Sequence, residues 1–309
     1  MESKTISMFM IKDRIIQMFR LMDELFWQPQ ESELCMKEYL YVRKRIKVIA
    51  LTYILSLGSS YMGFILVPLL TEGENLVVEF YRPKHIPYIA LYLFQCYIGL
   101  SHLIGGSFCF DIILYSTMMH TAAQLRILNK VIQGAFDIKI QTEEDLKKFK
   151  LLMRRCIEHH DFLLKYIKTI DERYASALGT FFITMFMCNV VDSYRFTTST
   201  YLLATFRSFS YVVSSITLIF FMCYFIPAQS LQDEAREISK SIYFSKWYKY
   251  SPLAKPVIII IGRTARLSKI VPCGIWELNL ETGLMVVRGI VSYAMFLRTA
   301  DSLSNGQND

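Results

Sequence analysis

The chain has 309 residues, a formal net charge of +7 and a hydrophobic content of 53%, with a mean hydropathy of +0.31. Its apolar residues are gathered into uncharged runs, several of which reach the ~20 residues that a helix needs to cross a bilayer. This distribution argues against an ordinary soluble domain. Because the positive charge follows the connections between the runs, it indicates membrane topology rather than nucleic-acid binding.

Residues 1–47 have the spacing of an amphipathic helical segment. Apolar side chains recur at three- and four-residue intervals, at Met8, Ile11, Ile15, Met18, Met22 and Phe26. The charged residues lie largely elsewhere on the helical wheel. Such a segment either packs on the rest of the protein or lies at the membrane surface, and its mixed charges favour packing.

Five apolar runs predict an all-α membrane bundle of about five transmembrane helices. A basic collar of Arg43, Lys44, Arg45 and Lys47 precedes the first run. The predicted spans are 48–70, 88–110, 174–191, 208–228 and 275–297. The last span is the least apolar because it contains Glu277, Glu281 and Arg288.

The charges of the connections predict the topology. The basic segments 1–47, 120–173 and 229–275 belong in the cytoplasm by the positive-inside rule, and the slightly acidic connection 71–87 lies outside. With five spans, the N-terminus is inside and the C-terminus outside. The predicted organisation is a cytoplasmic amphipathic segment (1–47), a four-span bundle with a long cytoplasmic helical segment at 120–173 (48–228), a cytoplasmic anchor segment (229–275), and the last helix with a short extracellular tail (276–309).

Catalytic groups do not assemble in this sequence. The seven cysteines form no CxxC pair, which argues against a zinc site or a disulfide framework. The adjacent histidines His159 and His160 follow Cys156, but no helical motif of a carboxylate and a histidine accompanies them, which argues against a metal site. The sequence shows no phosphate-binding glycine loop and no nucleophile elbow, so we predict no enzyme activity, no metal and no cofactor.

Aromatic side chains concentrate in the outer halves of the predicted spans. They fit two interpretations, an aromatic belt at the bilayer interface or the lining of an apolar ligand cavity between helices. His102, within the second span, fits either an interhelical hydrogen bond or a ligand contact. The candidate ligand-binding residues are Tyr61, Phe64, Tyr92, His102, Phe206, Phe209 and Tyr211.

The last predicted helix carries a stripe formed by Gly289, Ser292 and Phe296, which share one face by their spacing. Glycine leaves room, serine offers a hydroxyl to water, and phenylalanine can form an apolar constriction that closes by dewetting. This pattern is typical of a pore lining. A close helix-packing interface is the alternative.

The chain resembles the insect odorant receptor family in several stretches. Phe80-Tyr81-Arg82-Pro83, with Pro87-Tyr88, Tyr92 and Gln95, is similar to the family's extracellular loop and the start of its fourth helix of seven. Asp111, His120, Gln124 and Leu128 resemble the inner end of that helix. Further matches are Tyr243, Trp247-Tyr248 and Ser251 before the last helix, and Arg288, Val291-Ser292-Tyr293 and Phe296-Leu297-Arg298 within it.

Two positions depart from the family pattern, since the family usually has tyrosine where Val291 stands and an aromatic residue where Gly283 stands. The five spans correspond to the third to seventh family helices, and the first two are expected to be lacking. Alternatives are a gustatory receptor of the same superfamily or a membrane transporter. The Ser-Lys-Trp-Tyr run at 245–248 favours the odorant branch, and the lack of an internal repeat argues against a transporter.

The resemblance implies a receptor for volatile small molecules that forms a ligand-gated, non-selective cation channel with the odorant co-receptor, as a heterotetramer. The expected location is the plasma membrane of olfactory sensory neuron dendrites. Odorant would bind in the outer half of the bundle, and the last helix would line the pore. Tyr243, Trp247 and Tyr248 would belong to the cytoplasmic contact between subunits.

Overall fold

The computed structural model describes residues 2–70, 85–101, 108–137, 141–199, 202–245 and 269–305. Apart from two single 3₁₀ turns, the regular structure of this part is long helix, with no strand among these residues. The predicted all-α fold class is therefore confirmed. The helices, in chain order, are α1 Glu2–Leu25, α2 Glu33–Leu70, α3 Tyr88–Ser101, α4 Cys109–Asp137, α5 Glu143–Thr198, α6 Leu202–Ser214, a π-helix at Ser215–Phe225, α7 Ile226–Phe244 and α8 Leu280–Asn305.

Four helical stretches of the described chain are long and apolar enough to cross a membrane, and α3 is a shorter apolar helix. The predicted spans 48–70 and 174–191 lie inside much longer helices. α5 alone has 56 residues, which at 1.5 Å per residue corresponds to roughly 84 Å, whereas the hydrocarbon core is about 30 Å thick. These helices therefore extend far beyond the bilayer at one end, which we name the charged end.

The start of α5 is fixed by a capping box. The hydroxyl of Thr142 accepts a hydrogen bond from the Asp145 N–H at 3.1 Å, and the Asp145 carboxylate accepts one from the Thr142 N–H at 3.0 Å. Glu143 and Glu144 place further negative charge in the first turn. These residues complement the partial positive charge of the helix N-terminus, so the sequence itself defines where this helix begins.

Helix α4 is the centre of the bundle, because α7, α5 and α2 all pack against it. Leu114, Met118, Ala122, Leu125 and Leu128 recur at helical spacing along it, and each is 0% exposed. Truncating one buried leucine in such a core typically costs about 2–5 kcal/mol. The predicted second span ends at residue 110, so most of this core lies at the charged end.

The second centre of packing is an aromatic core around the π-helix. Phe182 of α5 stacks on Phe220 at 5.3 Å between ring centroids and also contacts Tyr224 and Phe225. Pro227 follows directly at the start of α7, and its missing N–H removes one regular helical hydrogen bond. The π-helix thus lies among aromatic rings of α5 and of its own sequence, and π-helical turns are frequently found at functional sites.

Candidate functional site

Two tyrosines join α2 and α3 with hydrogen bonds in both directions. Tyr61 of α2 donates to the carbonyl of Cys96, and Tyr92 of α3 donates to the carbonyl of Ile65 at 2.8 Å. A Cβ atom on Gly99 would lie 3.0 Å from the Tyr61 ring. Glycine at this position therefore lets the tyrosine ring lie directly against the α3 backbone.

A polar seam links α2, α5 and the junction between α6 and the π-helix. Ser215 donates to the side-chain oxygen of Asn189 at 2.5 Å, and both residues are 0% exposed. Ser56 of α2 donates to the hydroxyl of Ser214 at 3.1 Å. Tyr61 follows Ser56 by five residues, about 7.5 Å along the axis of α2 and about 140° around it, so α2 carries the two polar contacts at neighbouring heights on different sides. We name Ser56, Tyr61, Tyr92, Asn189, Tyr211, Ser214 and Ser215 together the tyrosine–serine cluster.

The predicted ligand-binding residues do not all lie in this cluster. Tyr61 and Tyr92 do, and the Tyr211 hydroxyl lies 3.8 Å from the sulfur of Met185, one helical turn before Asn189. Phe206 and Phe209 are 65% and 49% exposed on the surface of α6. His102 lies outside the described residues, and Phe64 is in α2 but its side chain lies outside the described part of the structure.

An apolar groove of about 490 Å³ runs between α5 and α8. Gly289, the first residue of the predicted pore stripe, lies in it, and a Cβ on this glycine would be 3.2 Å from the Phe186 ring. Ser292 is exposed and Phe296 is 67% exposed. The stripe thus begins at the edge of the α5–α8 interface and continues onto an open face of α8. The groove is lined by Phe182, Ile183, Phe186, Met187, Trp276, Thr282, Met285, Val286 and Gly289.

Gly283 has a close packing role in α8. A Cβ atom built on it would lie 2.7 Å from Cδ2 of Phe225, and Phe225 is 0% exposed. The ring of Phe225 thus occupies the space into which a larger side chain at 283 would project. This contact gives a physical reason for glycine at one of the two positions where the sequence departs from the resemblance.

Asp111 is a buried carboxylate at the start of α4. It accepts hydrogen bonds from the hydroxyls of Tyr53 on α2 and Tyr224 in the π-helix, and all three residues are at most 1% exposed. A carboxylate in such a place is very unfavourable without donors, because it has lost its hydration. The two tyrosines supply them and connect three helices at one point.

At the charged end, Arg126 of α4 bridges two other helices. It contacts Glu38 of α2 at 2.9 Å and Glu234 of α7 at 2.8 Å, while Lys130 contacts Glu38 at 2.7 Å. The Glu38 side chain is only 7% exposed. Water screens this pair less than a surface ion pair, so the network fixes the relative positions of α2, α4 and α7.

Gln124 holds the turn between α1 and α2 against α4. Its side chain accepts from the Trp27 N–H at 3.1 Å and donates to the Trp27 carbonyl at 3.0 Å. His159 stacks on the Trp27 ring at 4.4 Å and donates through Nε2 to the same Gln124 oxygen at 3.2 Å. Burial, together with the nearby Arg155 guanidinium, lowers the pKa of His159 to about 4, so the ring is neutral.

The predicted subunit-contact residues lie only partly in the described chain. Tyr243 is 66% exposed near the end of α7 and contacts Phe244, which is 81% exposed. Trp247 and Tyr248 lie outside the described residues. Within the described part of the chain, no group of three or more histidine, cysteine or acidic side chains could hold a metal ion.

Sequence reasoning missed several of these residues, although some carried a signal. Asn189 interrupts the apolar run 174–191 and is the amide that pairs with Ser215. Asp111 follows the second apolar run and is one of the residues that carry the resemblance, but nothing in the sequence identifies its hydrogen-bond partners. Tyr53 and Tyr224 carried no signal, since their partner is 58 and 113 residues away in sequence.

Comparisons with known proteins bear on this arrangement. The fold is similar to that of the insect olfactory receptor OR5 from Machilis hrabei, with a TM-score of 0.77, 14% identity, and coverage of 94% of this chain and 76% of that chain. The same receptor in complex with eugenol matches with a TM-score of 0.78, 14% identity, and coverage of 96% and 78%. No curated protein sequence matches the chain.

The family comparison covers nearly the whole chain, since the 7tm Odorant receptor family matches residues 2–291. This match and the bundle of apolar helices describe a multi-pass membrane protein of a receptor family. The chain belongs to the 7tm odorant receptor family.

Proposed function

We propose that this chain is the ligand-binding subunit of an odorant-gated, non-selective cation channel, which it forms with the odorant co-receptor as a heterotetramer. Family membership supports the receptor role. The observation that carries the proposal is the continuity of one structural path. In the tyrosine–serine cluster, Ser214 ends α6 and Ser215 begins the π-helix, whose Phe225 packs against Gly283 of α8.

The tyrosine–serine cluster favours a small volatile ligand with one polar group. Aromatic rings supply dispersion contacts, while the buried hydroxyls and the Asn189 amide can exchange their mutual hydrogen bonds for bonds to the ligand. The receptor OR5 from Machilis hrabei has been solved in complex with eugenol, an aromatic compound with a hydroxyl group. We therefore choose phenols and alcohols of this size as the first ligands to test.

We propose that the charged end faces the cytoplasm, with the N-terminus inside and residues 301–309 outside. The basic collar and the basic segment 120–173 support this orientation through the positive-inside rule. The chain would then act in the plasma membrane of olfactory sensory neuron dendrites, where the charged end, with exposed Tyr243 and Phe244, would contact neighbouring subunits.

Gating would follow from a difference in ligand contacts between the closed and open channel. A ligand that separates Ser56 from Ser214 or Asn189 from Ser215 changes the position of α6 relative to α2 and α5. Because α6 and the π-helix are continuous, that change reaches Phe225 and the buried glycine of α8 that it contacts. The exposed stripe with Ser292 and Phe296 would line the pore.

Electrophysiology of the full chain with the co-receptor in oocytes tests the proposal. We expect eugenol or a related phenol to evoke a cation current. Ser56→Ala and Ser215→Ala should shift the half-maximal concentration by about five- to tenfold, the equivalent of one neutral hydrogen bond. Ser59→Ala is the matched control, since Ser59 is exposed on the same helix. An identical dose response for all three variants would contradict a ligand site in the cluster.

A further inference from the structure

The basic collar occupies one face of α2 immediately before its apolar part. Arg43, Lys44 and Lys47 all point within roughly one third of the helical circumference, given 100° per residue. All three are exposed. Arg45 points elsewhere, and its guanidinium lies 5.4 Å from the centre of the Tyr41 ring. Three cations thus share one open surface.

The second feature of this cationic face is that its charges are not paired within the described residues. Among the described residues, none of Arg43, Lys44 or Lys47 forms an ion pair. The nearest acidic side chain that precedes them on α2, Glu38, turns inward to Arg126 and Lys130. Within the part of the chain that the structure describes, the collar therefore presents positive charge without an ion-pair partner, which a negatively charged partner would complement.

The same face of α2 continues into the membrane as an open apolar surface. Val48, Leu51 and Leu55 are 54%, 60% and 64% exposed. Leu51 is one helical turn beyond Lys47, and Leu55 one turn beyond Leu51. The opposite face is buried at Val42 and Tyr53, each 1% exposed. Cations and apolar side chains thus follow one another on a single outward face.

We propose that this face binds an anionic phospholipid of the inner leaflet. The phosphate-bearing headgroup contacts Arg43, Lys44 and Lys47, and an acyl chain packs along Val48, Leu51 and Leu55. Clusters of basic residues directly on the cytoplasmic side of a transmembrane helix attract anionic lipids. The inference rests on the orientation given under the proposed function, and it adds a lipid site that odorant binding does not require.

Native mass spectrometry of the purified full chain tests this site in detergent, with phosphatidylserine and phosphatidylcholine of equal chain length in competition. Wild type should retain phosphatidylserine preferentially. The triple variant Arg43→Gln/Lys44→Gln/Lys47→Gln should lose that preference. Each cation removed should lower the preference about fivefold, which corresponds to about 1 kcal/mol per basic residue at an anionic surface. Each single variant should lower the preference for phosphatidylserine about fivefold. The test therefore does not depend on whether the triple variant folds.

Lys147→Gln/Lys148→Gln/Lys150→Gln is the matched control. It removes the same charge from exposed positions at the start of α5, far from the apolar spans, and should retain the wild-type preference. An equal loss in both triple variants would reduce the effect to net charge and overturn the site. An unchanged preference for phosphatidylserine in the collar variants would also overturn the site. If those variants instead changed the oligomer size, the face would be assigned to contact with a second subunit.

Glycerophosphoserine, the headgroup without acyl chains, separates a lipid from a free phosphate compound. It should not displace phosphatidylserine at equal concentration, and efficient displacement would overturn the acyl-chain contact. The experiment uses neither odorant nor co-receptor. Its failure would therefore leave the gating proposal standing, and a failure of odorant gating would leave the lipid result unchanged.

Discussion

Tyr224 in the π-helix donates a hydrogen bond to the carboxylate of Asp111 on α4, and both residues are 0% exposed. Tyr53 of α2 donates to the other carboxylate oxygen. A hydrogen bond to a charged acceptor is roughly twice as strong as a neutral one, and a buried carboxylate without donors is very unfavourable. These tyrosines therefore stabilise the junction of three helices.

We expect Tyr224→Phe to lower the free energy of unfolding by about 1–3 kcal/mol, because the Asp111 carboxylate loses a donor that water cannot replace. Thermal unfolding of the detergent-purified protein measures this loss. Tyr97→Phe is the control, since Tyr97 is 72% exposed, and it should unfold at the wild-type temperature. Equal unfolding temperatures for Tyr224→Phe and wild type would contradict a stabilising role for this hydrogen bond.

The Asp111 junction illustrates what the sequence can and cannot predict. Long apolar runs bounded by charge predict an all-α membrane bundle, because crossing a bilayer requires a long apolar helix. A lone aspartate at the end of a run also draws attention. Its partners do not, since Tyr53 and Tyr224 stand in apolar runs like many other tyrosines, and only the packing of α2, α4 and the π-helix brings them together.

The tyrosine–serine cluster shows the same limit of prediction from sequence at the candidate site. Tyr61 and Tyr92 could be chosen from sequence because aromatic residues are typical of ligand cavities. Phe206 fitted the same criterion, yet it is 65% exposed. Helix α6 has distinct polar and apolar faces. Ser208 and Ser214 are buried and Phe206 is on the outer face, because in a membrane lipid can cover the apolar face of a helix and polar side chains pack between helices.

Gly283→Ala should destabilise the protein. The added Cβ would lie 2.7 Å from the Phe225 ring, which is surrounded by other aromatic side chains and cannot move freely. Overpacking of this kind typically costs about 1–3 kcal/mol. We expect a lower unfolding temperature in detergent, partly restored in the double variant Gly283→Ala/Phe225→Leu because the smaller side chain leaves room for the methyl group.

Gly134→Ala in α4 should have the opposite effect and stabilise the protein. Nothing lies within 4 Å of a Cβ atom at this position, so alanine should raise helix stability by up to about 1 kcal/mol through its higher helix propensity. If Gly283→Ala and Gly134→Ala had the same effect on unfolding, the close contact between α8 and Phe225 would be refuted.

Acid should weaken the charged end through His159. Burial lowers the pKa of this histidine to about 4 in the folded protein, against about 6.5 in the unfolded chain. Between these values the unfolded state binds more protons. The stabilising contribution of neutral His159 is therefore fully present above about pH 6.5 and falls as the pH drops toward 4, by up to about 1.4 kcal/mol per pH unit.

His159→Gln should flatten this dependence when unfolding temperatures are measured from pH 7.5 to 5. The slope should not vanish, because burial also lowers the pKa of His120 and gives a contribution of the same sign. His85→Gln is the control, since His85 is exposed, and it should keep the wild-type slope. A His159→Gln variant as acid-sensitive as wild type would exclude His159 as the titrating group.

The open face of α8 gives the last prediction, which rests on the proposed channel. Phe296 is 67% exposed in the single chain and shares its face with Ser292, whereas Gly289 on the same stripe contacts Phe186. An apolar ring on a pore-facing helix near its outer end can close the pore by dewetting. Phe296→Ala should therefore raise the basal current or alter ion permeability in complexes with the co-receptor.

Voltage-clamp recording in oocytes, with surface expression measured in parallel, checks this expectation. Val291→Ala is a suitable control, because Val291 is 46% exposed but lies on a different side of α8 by its position in the sequence. It should leave basal current and permeability at wild-type values. If Phe296→Ala reached the surface normally with unchanged current and permeability, the stripe would be a packing interface with another helix rather than the wall of a pore.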